Sequence, residues 1–244
     1  MYKKILIFGA SSDLGQELIK SLIVKKDTFI VGHYNENSNF YHNYKNYKNI
    51  FLIKSDLRNK KACKILCNKI IKKISKIDSI IFFNGRISST KIWTELTEKE
   101  INKDLQINFL SIFYSMQFLY KFLNLKAKIV FLSTSSATHG GGDSSFVYGW
   151  AKLSLLYLTK SFARFFSKKS ITVNSISPGF INTKFHKNNK NNWNTKKNKK
   201  RAQFNLLKKA GTTKQIAEAI NLMILSDNNF INAENIKIDG GEYV

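Results

Sequence analysis

The chain has 244 residues, 43% hydrophobic content and a formal net charge of +24. That length and apolar content suit one domain with a substantial core, and no apolar run is long enough to span a bilayer. The charge raises nucleic acid as a partner, but Lys is spread over nearly every segment and alternates with Ile and Asn, as a compositional bias does; the one distinct tract is acid-free, between Asp143 and Glu218.

Lys3 to Phe8 reads as a strand, too short an apolar run for a signal peptide. Gly9-Ala10-Ser11-Ser12-Asp13-Leu14-Gly15 follows, and Gln16 to Val24 reads as an amphipathic helix. A strand, a glycine turn and a helix start are the context of a dinucleotide-binding loop, in which free N–H groups and the helix dipole hold a pyrophosphate. Thr28 to Gly32 is a second strand. Its tip offers His33, Tyr34 and Asn35, with Glu36 slightly late for a ribose 2′-hydroxyl; this leans toward NADP over NAD, although no arginine stands ready for the phosphate. Phe40 to Asn49 shows no pattern and reads as a loop.

Ile50 to Ile53 is a third strand. Asp56 beyond it could meet an adenine ring or cap the next helix, and the cap is favoured. Asn59 to Ser75 is helical and carries both cysteines, Cys63 and Cys67. With no further cysteine in the chain and no other ligand nearby, neither a disulfide framework nor a zinc site is expected, and a reducing cytoplasmic setting fits. Asp78 to Phe83 is a fourth strand, ending in Asn84-Gly85-Arg86. Thr97 with Glu100 predicts a capping box, and the helical pattern from there runs to Leu123 through Asn108, a polar residue that must find partners if buried.

Ile129 to Leu132 predicts a buried strand. It leads into Ser133-Thr134-Ser135-Ser136 and a glycine-rich loop, and Leu153 to Phe166 predicts a buried helix. Tyr148 and Lys152 are four apart, so on one helix they share a face. An ammonium beside a phenol favours the phenolate, and Tyr148 becomes a candidate proton donor and acceptor. Ile171 to Ile176 is a sixth strand, closed by Ser177-Pro178-Gly179 around the only proline. Residues 184–209 are rich in Lys and Asn. Thr213 to Leu225 is a helix and Asn235 to Asp239 a last strand. Strands alternating with helices predict an α/β fold with a parallel sheet, whose strand ends gather the candidate residues on one edge.

Tyr148-x-x-x-Lys152, the upstream hydroxyls, Asn108, Asn174 with Ser177-Pro178-Gly179, and Asp239-Gly240-Gly241 stand in the order and spacing of the short-chain dehydrogenase/reductases, which the chain resembles from Ile5 to Gly241. The resemblance implies a Rossmann-type, doubly wound sheet of seven parallel strands with helices on both faces, assembled as a homotetramer or homodimer. It implies Tyr148 as acid/base and Lys152 as the residue that lowers its pKa and holds the nicotinamide ribose, with Asn108 ordering a relay water. It assigns Gly9, Ser11, Leu14 and Gly15 to the pyrophosphate, Asp56 and Leu57 to the adenine, and Asn84 and Gly85 to the adenosine ribose. Pro178, Gly179, Ile181 and Thr183 fall at the nicotinamide end. The catalytic hydroxyl is Ser135 counted back from Tyr148, or Thr134 counted forward from Ile129; Ser135 is favoured.

Two departures from the family pattern stand out. Asp13 replaces the middle glycine of the loop, where a carboxylate must point away from a pyrophosphate, and Phe82-Phe83-Asn84-Gly85 stands for Asn-Asn-Ala-Gly. The implied reaction is hydride transfer between NADP (or NAD) and a carbonyl or alcohol, with a 3-oxoacyl-carrier-protein reductase as the leading specific expectation. Ten basic residues in 184–209 suggest a lid over an anionic substrate. Carrier-bound acyl groups and phosphorylated, nucleotide-linked or acidic sugars all fit, as does a plainly solvated loop. A non-catalytic dinucleotide- or nucleic-acid-binding protein is the alternative of another class, disfavoured by the intact Tyr148/Lys152 pair.

Overall fold

The computed structural model describes residues 2–184 and 200–242. Seven parallel strands form one sheet: β1 (Lys3–Phe8), β2 (Thr28–Tyr34), β3 (Ile50–Lys54), β4 (Ile77–Phe82), β5 (Leu123–Leu132), β6 (Thr172–Pro178) and β7 (Asn235–Ile238), in the order β3-β2-β1-β4-β5-β6-β7. The helices include α1 (Asp13–Ile23), α2 (Ser38–Tyr44), α3 (Lys60–Ile74), α4 (Glu98–Leu105), α5 (Ser111–Leu119), α6 (Phe146–Phe166) and α7 (Thr213–Leu225).

Both faces of the sheet are covered, which is why its strands read as continuous apolar runs rather than alternating ones. Along β1, Leu6 and Phe8 point into one core with Cys63, Leu66 and Ile70 of α3, Ile112 and Met116 of α5, and Leu155 of α6. Ile5 and Ile7 point into the other, with Leu18 and Leu22 of α1, Phe40 of α2, and Ile216 and Ile220 of α7. The chain order reverses between β1 and β4, so a crevice opens past their carboxyl ends, where open α/β sheets bind ligands. Gly9 has φ +70°, and a Cβ there would stand 2.7 Å from Asn84 N. Only glycine allows the β1 turn to lie this close to the end of β4.

Several boundaries differ from the sequence reading. The Phe40 to Asn49 loop contains α2, nucleated by the Asn37 side chain, which accepts from Phe40 N–H. Its buried Phe40 and Tyr44 are neighbours only once the segment coils. The cap of α3 is Asn59 rather than Asp56: the Asn59 side chain accepts from Ala62 N–H at 2.9 Å, whereas Asp56 pairs with Arg58 Nε at 3.0 Å. The long helix expected after Thr97 begins with the predicted capping box, but it is interrupted by a π-turn at Gln106–Leu110. β5 starts at Leu123, well before Ile129, and α6 starts at Phe146, which puts both Tyr148 and Lys152 inside it.

Candidate active site

Lys152 is the best-defined member of the site. It is buried, and its Nζ donates to the carbonyl oxygens of Leu132 at 2.9 Å and Asn84 at 3.3 Å. Those carbonyls lie at or beyond the ends of β5 and β4, so the lysine joins the two strands across the crevice. Ser133 Oγ donates to the Lys152 carbonyl at 2.9 Å and fixes α6 against β5. One turn back along α6, the Tyr148 ring centroid lies 5.7 Å from Lys152 Nζ.

The electrostatics of this pair differ from the expected direction. Burial pulls the Lys152 ammonium down to about 7 and pushes the Tyr148 phenol above its ordinary value. In the free protein, removal of both groups from water outweighs the pull of ammonium on phenol. The phenol is therefore held protonated, and the lysine is poised to exchange a proton near neutral pH.

Asn108 is fully buried in the π-turn, an interruption found frequently at functional sites. Its Oδ1 accepts from Arg86 N–H at 2.9 Å, and its Nδ2 donates to the carbonyls of Arg86 and Asp104 at 2.7 and 2.8 Å. Every hydrogen of the amide is thus engaged by the backbone. A Cβ on Gly85 would stand 3.2 Å from Asn108 Oδ1 and 3.3 Å from Lys152 Nζ. Gly85 is the point where Asn108 and Lys152 converge.

The two candidate hydroxyls separate cleanly. Thr134 Oγ1 accepts from Ser136 N–H at 3.4 Å and caps a 3₁₀ turn at Ser135–Ala137. Ser135 is buried, and its Oγ donates to Glu242 Oε2 at 2.8 Å. Beyond β6, Gly179 N–H donates to Ile238 O at 3.1 Å, and Ile181 bridges to Gly211. Ile181 and Thr183 are both buried.

At the amino end, the Ser12 side chain caps α1 by accepting from Gly15 N–H at 3.0 Å. The first-turn N–H groups of Asp13 and Leu14 have no acceptor within the helix by position, as an anion site requires. The Asp13 carboxylate points away: it accepts from Lys184 N–H at 2.6 Å. His33 is buried and neutral. Its Nδ1 accepts from Gly9 N–H at 3.3 Å, its Nε2–H donates to Ser55 O at 3.0 Å, and burial lowers it to about 4. It stitches the β1 turn to β2 and β3 and offers no charge to a 2′-phosphate. Leu57 is a core residue whose carbonyl accepts from Gln106 Nε2 at 2.8 Å. Asn84 donates to Ile107 O and Ser111 Oγ, while its buried Oδ1 has no partner among the described residues. Asn174, part of the motif, pins the 231–234 loop to β6 through Ile231 O and Glu234 N–H.

Two features of the crevice fit a dinucleotide: the α1 amino end behind Gly9 and the orphaned Asn84 oxygen at the β4 end. Glu242 and the buried Asp104, which accepts from Ser88 N–H at 2.8 Å, are polar groups that sequence reasoning missed. The hook after Asp239-Gly240-Gly241 was the available signal for the first; the spacing of Asp104 four residues before Asn108 was the signal for the second. Cys63 and Cys67 are buried, free and pushed up to about 11 and about 12, as inert thiols are. The basic tract of 184–209 lies largely outside the described residues, Lys187, Lys190, Lys196, Lys197 and Lys199 among them. Among the described residues no helix is long and apolar enough to cross a membrane.

A family model described as enoyl-(acyl carrier protein) reductase matches residues 23–242. The chain is 29% identical to 3-oxoacyl-[acyl-carrier-protein] reductase FabG of Buchnera aphidicola subsp. Baizongia pistaciae, over 99% of this chain and 98% of that one. A short-chain dehydrogenase family protein from Francisella tularensis superposes with a TM-score of 0.87 at 24% identity, covering 99% of both chains. ElxO with NADP bound superposes with a TM-score of 0.85 at 26% identity, again over 99% of both. With the family model spanning residues 23–242 and the seven-stranded parallel sheet, this chain belongs to the short-chain dehydrogenase/reductase family of NAD(P)-dependent oxidoreductases.

Proposed function

We propose that the chain is an NADPH-dependent 3-oxoacyl-(acyl carrier protein) reductase, converting the 3-oxo group of an acyl thioester to a 3-hydroxy group. The observation that carries the reductase reading is buried Lys152, held between the Asn84 and Leu132 carbonyls beside Tyr148. The likeness to the Buchnera reductase over almost the whole length supports the substrate, and the NADP bound by ElxO supports the coenzyme.

Gly9, Ser11, Leu14 and Gly15 hold the pyrophosphate at the α1 amino end. Asp56 and Leu57 flank the adenine, Asn84 and Gly85 the adenosine ribose, and Pro178, Gly179, Ile181 and Thr183 the nicotinamide. When bound, the coenzyme supplies the hydride. Tyr148, kept protonated by its burial, gives its hydroxyl proton to the substrate oxygen, a state suited to the reducing direction. Ser135 rather than Thr134 is the hydroxyl at the family spacing before Tyr148, and it donates a hydrogen bond to that oxygen once its proton turns from Glu242. Lys152 returns a proton to Tyr148, and Asn108 acts as a positioning residue that holds Arg86 and the Gly85 turn against the lysine.

Half of the assembly reading rests on α6, which leaves Trp150, Leu153 and Tyr157 exposed. An apolar helix face of this kind supports a homodimer or homotetramer.

The full chain incubated with acetoacetyl carrier protein is expected to oxidise NADPH, followed by absorbance, with NADH slower. NADH is a necessary arm because the tip of β2 has neither an arginine for a phosphate nor an acid at the ribose position. Lack of turnover of the thioester with both coenzymes, alongside reduction of other carbonyls, would remove the carrier-protein assignment.

A further inference from the structure

The carboxyl-terminal segment delivers a charged side chain into the site. After β7, residues 239–242 turn back over Gly179 through Gly240 and Gly241, at φ +69° and +77°. Two successive left-handed residues make a hook that side chains with a Cβ would resist. Asp239 Oδ1 accepts from Gly241 N–H at 3.0 Å, and Glu242 bridges antiparallel to Asn205. Asn205 is itself buried, with its Nδ2 donating to Lys209 O at 2.7 Å.

This hook sets Glu242 Oε2 2.8 Å from Ser135 Oγ, and 2.8 Å from where a Cβ on Gly179 would stand. Among the described residues, no ion pair places a Lys or Arg nitrogen within 4.0 Å of the carboxylate. The hydroxyl has one proton to donate, and an ionised acceptor holds it more strongly than a neutral one. A substrate oxygen that reaches Ser135 must therefore come up beside a carboxylate with no ion-pair partner among the described residues.

We propose that Glu242 is a specificity-determining residue: it excludes substrates with an anionic group next to the reacting carbonyl and admits those that are neutral there. The inference rests on the reductase reading above and adds where the substrate's charge must lie. A 3-oxoacyl thioester is neutral around its third carbon, and its charge sits far off on the carrier. A 2-oxo acid, or an acidic sugar reacting beside its carboxylate, brings like charges together in a partly desolvated site, where repulsion is costly.

The test uses the full chain with NADPH and a matched pair, ethyl acetoacetate and acetoacetate, which differ in charge at one group. The wild type is expected to favour the ester in kcat/KM by about tenfold or more, the scale of a like-charge contact. Glu242→Gln keeps the shape and an acceptor for Ser135. It is expected to narrow that preference about fivefold or more, through a lower KM for acetoacetate rather than a changed kcat. Binding of acetoacetate to the NADP-loaded protein, followed by saturation-transfer NMR, reads the same preference without turnover. It is expected to be tighter in Glu242→Gln. An unchanged ester preference together with unchanged acetoacetate binding overturns the proposal, as does an effect seen in Glu242→Ala but not in Glu242→Gln, which would assign it to shape. Reduction of the ester without reduction of acetoacetyl carrier protein removes the carrier assignment alone and leaves the Glu242 comparison readable.

Discussion

The two halves of the sheet hold their polar groups in different ways. On the β4–β6 side, Lys152, Ser135 and Asn108 are buried side chains placed by specific hydrogen bonds. On the β1–β3 side, backbone N–H groups line the turn after Gly9, and the side chains around it bond to the protein. Asp13 and His33 are the clearest cases. Each bonds to the protein itself: Asp13 accepts from Lys184 N–H, and His33 joins Gly9 N–H to Ser55 O. Backbone groups do the holding on one side, and side-chain hydrogen bonds on the other.

The sharpest way to break this contrast is on the β4–β6 side. Tyr148→Phe removes one hydroxyl and little volume. Loss of a positioned proton donor is worth about 10² to 10⁴ in rate. NADPH-dependent reduction is expected to fall by that range, while NADPH binding measured by fluorescence stays within about threefold, since the uniform binding contacts remain. Near-normal turnover in the variant would show that the proton comes from elsewhere.

The same contrast governs what was legible in the chain. The parallel sheet and most of its strands follow from apolar runs separated by turn residues, and the capping box at Thr97 marks a helix start by local chemistry alone. The convergence of Asn108, Gly85 and Lys152 was legible only as spacing, because their meeting depends on strands β4 and β5 lying side by side. α2 was missed because its polar residues hide the two aromatic anchors, Phe40 and Tyr44, and the π-turn because periodicity cannot register one extra residue within a helix. One opposing effect at Tyr148 was not legible in the free chain: an ammonium four residues away is visible in sequence, while the loss of water around both groups is not. Glu242 escaped because its partner Ser135 is 107 residues distant.

A medium-sized effect is expected from His33. In the unfolded chain the imidazole titrates near its ordinary value of 6.5, and in the fold it is lowered to about 4. The unfolded state therefore binds the proton first as pH drops. The fold keeps the full benefit of a neutral His33 above pH 6.5 and loses it progressively as pH falls to about 4, a total of about 3 kcal/mol from that shift. Thermal unfolding of the wild type and His33→Gln across this window isolates the contribution, because the other carboxylates titrate in both. The wild type is expected to lose stability more steeply; parallel curves would mean that the imidazole is not held neutral between Gly9 and Ser55.

The smallest effect sharpens the comparison most, because it separates a charge from a hydrogen bond at one residue. Asp13 sits in the first turn of α1, where a carboxylate gains about 0.3–1 kcal/mol from the helix dipole, yet the same turn is the one proposed to receive a pyrophosphate. Asp13→Asn keeps an oxygen for Lys184 N–H and removes the charge. NADPH affinity is then expected to rise about two- to fivefold at low salt, with the gain shrinking at high salt as an exposed charge interaction is screened. Asp13→Ala removes the charge and the tie to Lys184 together. If the tie to Lys184 supports the coenzyme loop, Ala should bind NADPH less tightly than Asn, since Asp13→Ala leaves Lys184 N–H without that acceptor. Equal affinity in Asn and Ala would make the Lys184 bond incidental, and Asp13 would then be a tolerated charge on a cradle whose N–H groups do the binding.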